Sequence, residues 1–404
     1  MKALTKISIG FLALAAAALW FTSCSSEDVV QNGGSLNEKD QRVLLLSVNT
    51  GNLGTRAGST RALADDEKQI NDMTVGIYDK TGGNCRVVAS LASGSKEEVA
   101  SGTKPGTFTT ASGVKVKVVT STLQENDQVL VAVNSGTTAF ASKPNSPTKF
   151  SEVTMDATTA LQFKASSTDI DATKFPKFGT ATLPAGSSST FSATVNVKNL
   201  VSKVTLEDLS VSFTGGPYAS ATFTPEKLFL LNVPNKLAFS TTGQATSTST
   251  YLNGTNMDKS GGTTGTETAV LAKTITGAHA LSSAAGGTAS FTDKPILYTI
   301  PNSSTSNKTI LVIAGNFKKD GSGAGETVYY PLALNEDYSS GSLGTTAPDG
   351  GTVSQTLAGK NYKCNVVIKT IGASNPWVTT GPQTAVLTVS VDDWVDADQT
   401  TTFE

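Results

Sequence analysis

The sequence predicts an all-β chain built as two tandem sandwich domains. Three observations carry this. At 404 residues the chain is long enough for two ordinary domains, each able to bury its own core. Gly, Ser, Thr, Ala and Val are abundant, charged residues are only 16%, and amphipathic segments of helix length are hard to find. Thr-rich stretches of alternating apolar and polar residues recur at short intervals, the pattern of half-buried strands separated by turns.

Ahead of the strands lies a leader. Lys2 and Lys6 precede an apolar run from Ile7 to Phe21, which stops at Thr22-Ser23-Cys24. The run is too short to span a bilayer comfortably, and its flanks are those of a cleaved secretory signal. Residues 1–23 therefore read as a bacterial lipoprotein signal peptide, with Phe21 where Leu is commoner and Cys24 as the lipidated first residue. The Ser25-Ser26-Glu27-Asp28 that follows resembles the acidic surface-export signal of Bacteroidetes lipoproteins.

Gln31 to Asp40 is a polar tether, and Arg42 to Val48 is the first strand. Asn49 to Arg61 has the small, polar composition of an exposed, protease-accessible loop and carries Arg56 and Arg61, each followed by Ala. Strands follow at Met73 to Tyr78, Val114 to Thr120 and Gln128 to Val133. Thr137 to Leu183 has few alternating runs, with a short helix expected near Glu152 to Phe163. Strand texture resumes at Thr194 to Lys198 and Val201 to Leu206, which puts a domain boundary near Phe191. Later strands are expected at Lys227 to Val233, Ile296 to Ile300, Thr309 to Gly315, Val328 to Leu332 and Tyr362 to Thr370. Ser240 to Ala289 lacks the apolar content for burial and reads as a long surface insertion. The chain closes on Ala385 to Val395, where Leu387, Val389 and Val391 share one face and Thr388 and Ser390 the other. Trp394 falls out of that phase, which suggests a bulge or turn at Asp392-Asp393 before a last segment to Phe403.

Several function classes are excluded or weakened. A net charge of -2 without basic clusters argues against a nucleic-acid partner, because phosphate binding needs concentrated Lys and Arg. After Cys24 only Cys85 and Cys364 remain, far apart, so they are expected unpaired and not part of a disulfide framework. His279 is the sole histidine and lies in the low-complexity insertion, leaving no Ser-His-Asp set and no histidine cluster for a metal. No phosphate loop, dinucleotide fingerprint or nucleophile elbow is present, so no catalytic residue and no cofactor is assigned. Adjacent Asp392 and Asp393 on a strand point to opposite faces and cannot flank one substrate bond.

One set of segments fits a known family. Arg61-Ala62 ahead of Asp65-Asp66-Glu67 and the strand Met73 to Tyr78 begins the set, followed by Val129 to Gly136, Val195 to Leu206 and Phe223-Thr224-Pro225-Glu226-Lys227-Leu228. Val312 to Lys319, Tyr329-Tyr330-Pro331, Asn361-Tyr362 and Val389 to Val395 with Trp394 continue it in order and spacing. In these segments the chain resembles the FimA-type major fimbrial subunits (fimbrillins) of Bacteroidales, whose pili, sometimes called type V, form by donor-strand exchange. The resemblance implies two transthyretin-like β-sandwich domains and a lipoprotein precursor exported to the outer membrane. It further implies a cut after an arginine by an arginine-specific protease, and polymerisation with identical or related subunits into an extracellular fimbrium for adhesion and biofilm formation. Residues 24–61 would then be a propeptide with a removable first strand, 62–190 the N-terminal domain and 191–404 the C-terminal domain with a donor strand. Arg61 fits the family spacing best, with Arg56 the second candidate.

The physics of such a polymer follows from the residues themselves. A cut after Arg56 or Arg61 removes the lipid anchor and the first strand together, opening a groove of apolar side chains and unpaired backbone groups. A strand from a neighbouring subunit restores the ladder, and Leu387, Val389 and Val391 are the expected plugs. In the precursor the same strand is expected at an edge of its own domain. Because groove and donor are different surfaces of one subunit, the contact does not close and yields a filament. Competing readings are a surface glycan-binding lipoprotein, which would need clustered exposed aromatics, and an anchor or tip subunit, which would lack the cleavable arginine or the donor strand.

Overall fold

The computed structural model describes residues 42–50, 65–92 and 113–394, excepting 121, 137–138, 141–144, 187–188, 214–215, 246–249, 278–279, 284–286, 288–293, 337–344, 379–380 and 382. Cys24, Arg56, Arg61, His279 and the expected last segment to Phe403 lie outside the described residues.

In the first half the strands are β1 (Arg42–Asn49), β2 (Asp72–Tyr78), β3 (Cys85–Ala92), β4 (Gly113–Thr120), β5 (Gln128–Val133), β6 (Thr154–Asp156), β7 (Lys177–Thr182), β8 (Thr190–Asn196) and β9 (Lys198–Asn199). A five-stranded sheet in the order β3-β2-β5-β7-β9 packs on a three-stranded sheet in the order β4-β1-β8. Leu44, Leu46, Val48, Met73, Val75, Ile77, Val116, Val118, Val129, Val131 and Phe191 meet between them. Tyr78, Leu130, Ala132 and Phe178 face the other way into the larger core of the molecule. The five-stranded sheet is thus buried on both faces, which explains why β2 and β5 are near-continuous apolar runs instead of alternating ones.

The second half holds β10 (Ser202–Val211), β11 (Thr222–Leu231), β12 (Val233–Pro234), β13 (Lys236–Ala238), β14 (Tyr251–Leu252), β15 (Ala272–Thr274), β16 (Ile296–Thr299), β17 (Ile310–Lys318), β18 (Glu326–Ala333), β19 (Lys360–Ile368) and β20 (Ala385–Asp393). Two four-stranded sheets, β16-β10-β19-β20 and β15-β11-β17-β18, form the second sandwich. Leu206, Leu228, Ile313, Tyr330, Tyr362, Val366 and Leu387 lie in its core. The short pair β6 and β13, in antiparallel register, ties the two halves together.

Four features differ from the sequence reading. β8 pairs with β1 in the first sandwich, so the sheets change over between Asn199 and Ser202, later than the expected 190/191 division. The helix expected near Glu152 to Phe163 is two short helices, α2 (Pro147–Ser151) and α3 (Ala157–Ala160), on either side of β6. The Ser240 to Ala289 stretch is not only surface: β15 pairs with β11, and Leu271, Ile275 and Leu281 are buried. Lastly, β20 needs no bulge at Asp392-Asp393. Its ladder with β19 runs unbroken to Asp393 opposite Lys360, and Trp394 simply projects from the other face, which another part of the molecule covers.

Candidate strand-exchange site

The first strand sits in the middle of its sheet. β1 runs antiparallel to β4 along its whole length and parallel to β8 from Val43 to Asn49. Leu44, Leu46 and Val48 are 0%, 1% and 0% exposed, whereas Leu45 between them is 42% exposed, so one face plugs the core and the other meets solvent. Register places Leu44 between Val118 and Phe191, Leu46 between Val116 and Ala193, and Val48 between Val114 and Val195. At the ends of the strand, Arg42 Nη1 donates to the Leu123 carbonyl at 2.7 Å, Val43 N–H to the Ser189 carbonyl, and Val197 N–H to the Asn49 carbonyl. Without β1, the facing edges of β4 and β8 lose their backbone partners and three apolar positions of the core open to water. Each such side chain contributes roughly 1.5 to 3 kcal/mol when buried. The chain leaves β1 at Thr50 and is described again from Asp65, where α1 (Asp65–Lys68) begins. The segment between contains Arg56 and Arg61.

The last strand sits at an edge. Among the described residues β20 pairs with β19 alone, antiparallel, in the sheet order that ends at β20. Leu387 and Val389 are 1% and 7% exposed, Val391 is half-buried, and Thr388 and Ser390 face solvent. Asp392 and Asp393 point apart, as neighbouring strand residues must. Asp392 pairs with Lys363, and Asp393 with Lys360 across the ladder at 2.7 Å.

Trp394 anchors the end of this strand at the junction of the two sandwiches. Its ring stacks on Tyr298 at 5.7 Å between centroids and meets the edge of Phe175 at 5.5 Å. Trp394 Nε1 donates to Glu67 Oε2 at 3.1 Å, and the Lys203 ammonium lies 5.5 Å over the ring. Glu67 Oε1 in turn pairs with Lys203 Nζ at 3.5 Å, both side chains being largely buried. Nearby, Lys177 is fully buried and its Nζ donates to the carbonyls of Phe175 and Gln69. Burial pulls its ammonium down to about 7, with Glu67 acting in the opposite direction. On sequence Trp394 belongs to the expected donor strand with Leu387, Val389 and Val391; within this chain it is a wedge between the two sandwiches. Glu67 and Lys203 carried no sequence signal beyond the Asp65-Asp66-Glu67 run, because their pairing joins residues far apart in the chain.

Cys85 and Cys364 are both buried, and no disulfide joins them. Burial pushes the Cys364 thiol far above its ordinary range, which makes it unreactive. Among the described residues no group of His, Cys, Asp and Glu is arranged to hold a metal ion, and no helix is long and apolar enough to cross a membrane.

No family model and no curated protein sequence matches this chain. Solved structures do. A candidate cell adhesion protein from Bacteroides eggerthii superposes with a TM-score of 0.57 at 19% identity, covering 88% of this chain and 96% of that one. Another, from Parabacteroides distasonis, gives 0.59 at 12% identity over 88% and 98%. The fimbrilin FimA of Porphyromonas gingivalis gives 0.54 at 15% identity over 88% and 99%. At these identities the likeness is one of fold, and the expectation of an all-β sandwich chain with the fimbrillin fold is met.

Proposed function

We propose that this chain is the shaft subunit of a cell-surface fimbria. It is exported as a lipoprotein acylated at Cys24, tethered to the outer membrane, cut after Arg61 or Arg56, and polymerised by donor-strand exchange into an extracellular filament that serves adhesion and biofilm formation. The observation that carries this reading is the placement of β1. A strand that joins both neighbours of its sheet and fills the core with Leu44, Leu46 and Val48 is followed at once by the arginine-bearing segment. One cut there frees a two-walled groove. The edge position of β20, with Leu387 and Val389 inward and one ladder holding it, supports its role as the strand that leaves. The fold shared with fimbrilin FimA and with candidate cell adhesion proteins supports the same assignment. No catalytic role is assigned.

Replacing Arg56 and Arg61 together by Ala tests the reading. The double variant is expected to remain a folded, lipid-tethered monomer, while N-terminal sequencing of surface-sheared wild type starts at Ala62, or at Ala57 if Arg56 is the site. Normal ladders of high-mass polymer from the double variant would end the processing hypothesis.

A further inference from the structure

The last strand repeats the first. Leu44-Leu45-Leu46-Ser47-Val48-Asn49 and Leu387-Thr388-Val389-Ser390-Val391-Asp392 carry Leu, Ser and Val at the same spacings, an aliphatic residue at the central inward position, and the near-isosteric Asn and Asp at the end. Burial repeats as well, since Leu44 and Leu46 flank exposed Leu45 as Leu387 and Val389 flank exposed Thr388. These strands belong to different sandwiches and do not pair with each other. Nothing in their home sheets requires them to match, because β1 has two neighbours and β20 has one.

Resting on the fimbrial reading, we propose that a second copy of this chain inserts its β20 into the groove in the polarity of β1, parallel to β8 and antiparallel to β4. Leu387 takes the place of Leu44, Val389 that of Leu46 and Val391 that of Val48. Leu387 then lies between Val118 and Phe191, Val389 between Val116 and Ala193, and Val391 between Val114 and Val195 of the receiving subunit. The alternatives are each worse. A shift of two residues one way puts Ala385 where Leu44 was and leaves a void; the other way it buries Asp393 where Val48 was. Reversal places Ser390 and Thr388 at the sites of Leu45 and Ser47 respectively. It also asks β8 for an antiparallel ladder, although its backbone groups are set for the evenly spaced parallel one. In the proposed register Asp393 and Trp394 fall beyond the position of Asn49, so Trp394 is not a plug. It holds the undonated strand at home and must leave its site beside Glu67 and Tyr298 for exchange to occur.

Cysteine pairs in the full-length chain, cleaved and allowed to polymerise, test the register. Cys85 and Cys364 are buried and stay unchanged. Leu45 lies opposite Lys117 and Ser47 opposite Lys115, so the proposed polarity pairs Thr388→Cys with Lys117→Cys and Ser390→Cys with Lys115→Cys. Oxidised polymers of these two variants are expected to give covalent ladders under denaturing, non-reducing conditions, about ten times more intense than those of the swapped pairs. On the other wall, Thr388→Cys with Ser192→Cys and Ser390→Cys with Thr194→Cys repeat the test should a β4 variant fail to assemble. Polymers whose swapped pairs crosslink as strongly, or in which no pair crosslinks, overturn the register and leave donor-strand exchange standing. Failure of the cleaved wild-type chain to polymerise at all overturns both.

Discussion

The first and last strands of this molecule carry nearly the same message and occupy opposite kinds of place. β1 lies between two partners with its Leu-Leu-Val face fully enclosed; β20 lies at an edge with one partner, and its third inward residue, Val391, is half-buried. The difference would give the proposed exchange a direction. Removing β1 breaks two ladders and empties the core, which thermal fluctuation will not do unaided and a covalent cut makes possible. Releasing β20 breaks one ladder, and docking it in a neighbour's groove makes two. A strand that moves from a one-ladder site to a two-ladder site gains backbone pairing at each added subunit. At home the end of the strand is held at the junction, where Glu67, Lys203, Tyr298 and Phe175 enclose the Trp394 indole.

The largest effect is expected at β20, the proposed donor. Val389→Asp puts a charge at the centre of the inward face and should abolish polymer after cleavage, whereas Thr388→Asp, on the solvent face, should keep most of it. Ladders on denaturing gels measure both, with circular dichroism and melting of the uncleaved precursor confirming that each still folds. Equal polymer from wild type and Val389→Asp would exclude β20 as the donor.

Next in size is the junction. Glu67→Ala leaves Lys203 without its buried partner and Trp394 Nε1 without an acceptor, a loss expected to cost the precursor about 3 to 5 kcal/mol in urea unfolding. Hydrogen exchange at the Trp394 amide, which donates to the Gly359 carbonyl at 2.8 Å, should rise in the same variant. Unchanged exchange there would mean that the junction does not restrain the end of β20.

A like-for-like pair sharpens the contrast between centre and edge. Leu44→Ala and Leu387→Ala delete the same atoms from sites that are 0% and 1% exposed. Both should fall within about 2 to 5 kcal/mol, with Leu44→Ala nearer the top because strands on both sides prevent collapse around the gap. Urea midpoints of the uncleaved variants give the order, and a larger loss at Leu387 would contradict it.

The smallest effect is one of pH. Lys177, beside the junction, binds its proton only below about 7 in the folded chain, while the unfolded chain holds it up to about 10.4. Between those values the unfolded state carries more protons, so stability rises with pH across the window and the penalty of burying the charge is complete below it. Urea midpoints at about pH 7 and pH 9.5 should differ in that sense for wild type and converge for Lys177→Met.

How much of this was legible in the sequence varies with the physics of each element. Strands with clean alternation or strong β-branched runs, such as Arg42 to Val48, Gln128 to Val133 and Ala385 to Asp393, announce themselves because one residue pattern serves one environment. β3 and β7 do not. β7 reads Lys-Phe-Gly-Thr-Ala-Thr: its lysine is fully buried, and its glycine is required because a Cβ at Gly179 would lie 2.5 Å from the Asn196 carbonyl oxygen. Those are tertiary demands without a local signature. The change from one sandwich to the next is hidden for a related reason. β8 looks like the start of the second run of strands, and only its parallel ladder with β1 returns it to the first sandwich. The inward face of β20 could be read directly, since Leu387, Val389 and Val391 obey the period of two. The partners of Trp394 could not, because Glu67 and Lys203 meet it only through the fold.

In the proposed polymer, groove and donor are separate, complementary surfaces of one subunit, and mixing two crippled chains puts that to the test. The first is cleaved Val389→Asp, with an open groove and no usable donor. The second is the uncleaved double variant Arg56→Ala, Arg61→Ala, with its groove filled by β1 and its donor intact. Each alone is expected to stay monomeric, and the mixture is expected to form one-to-one dimers and nothing longer by native mass measurement. Polymer from either chain alone, or a mixture that remains monomeric while both chains are folded, would contradict it.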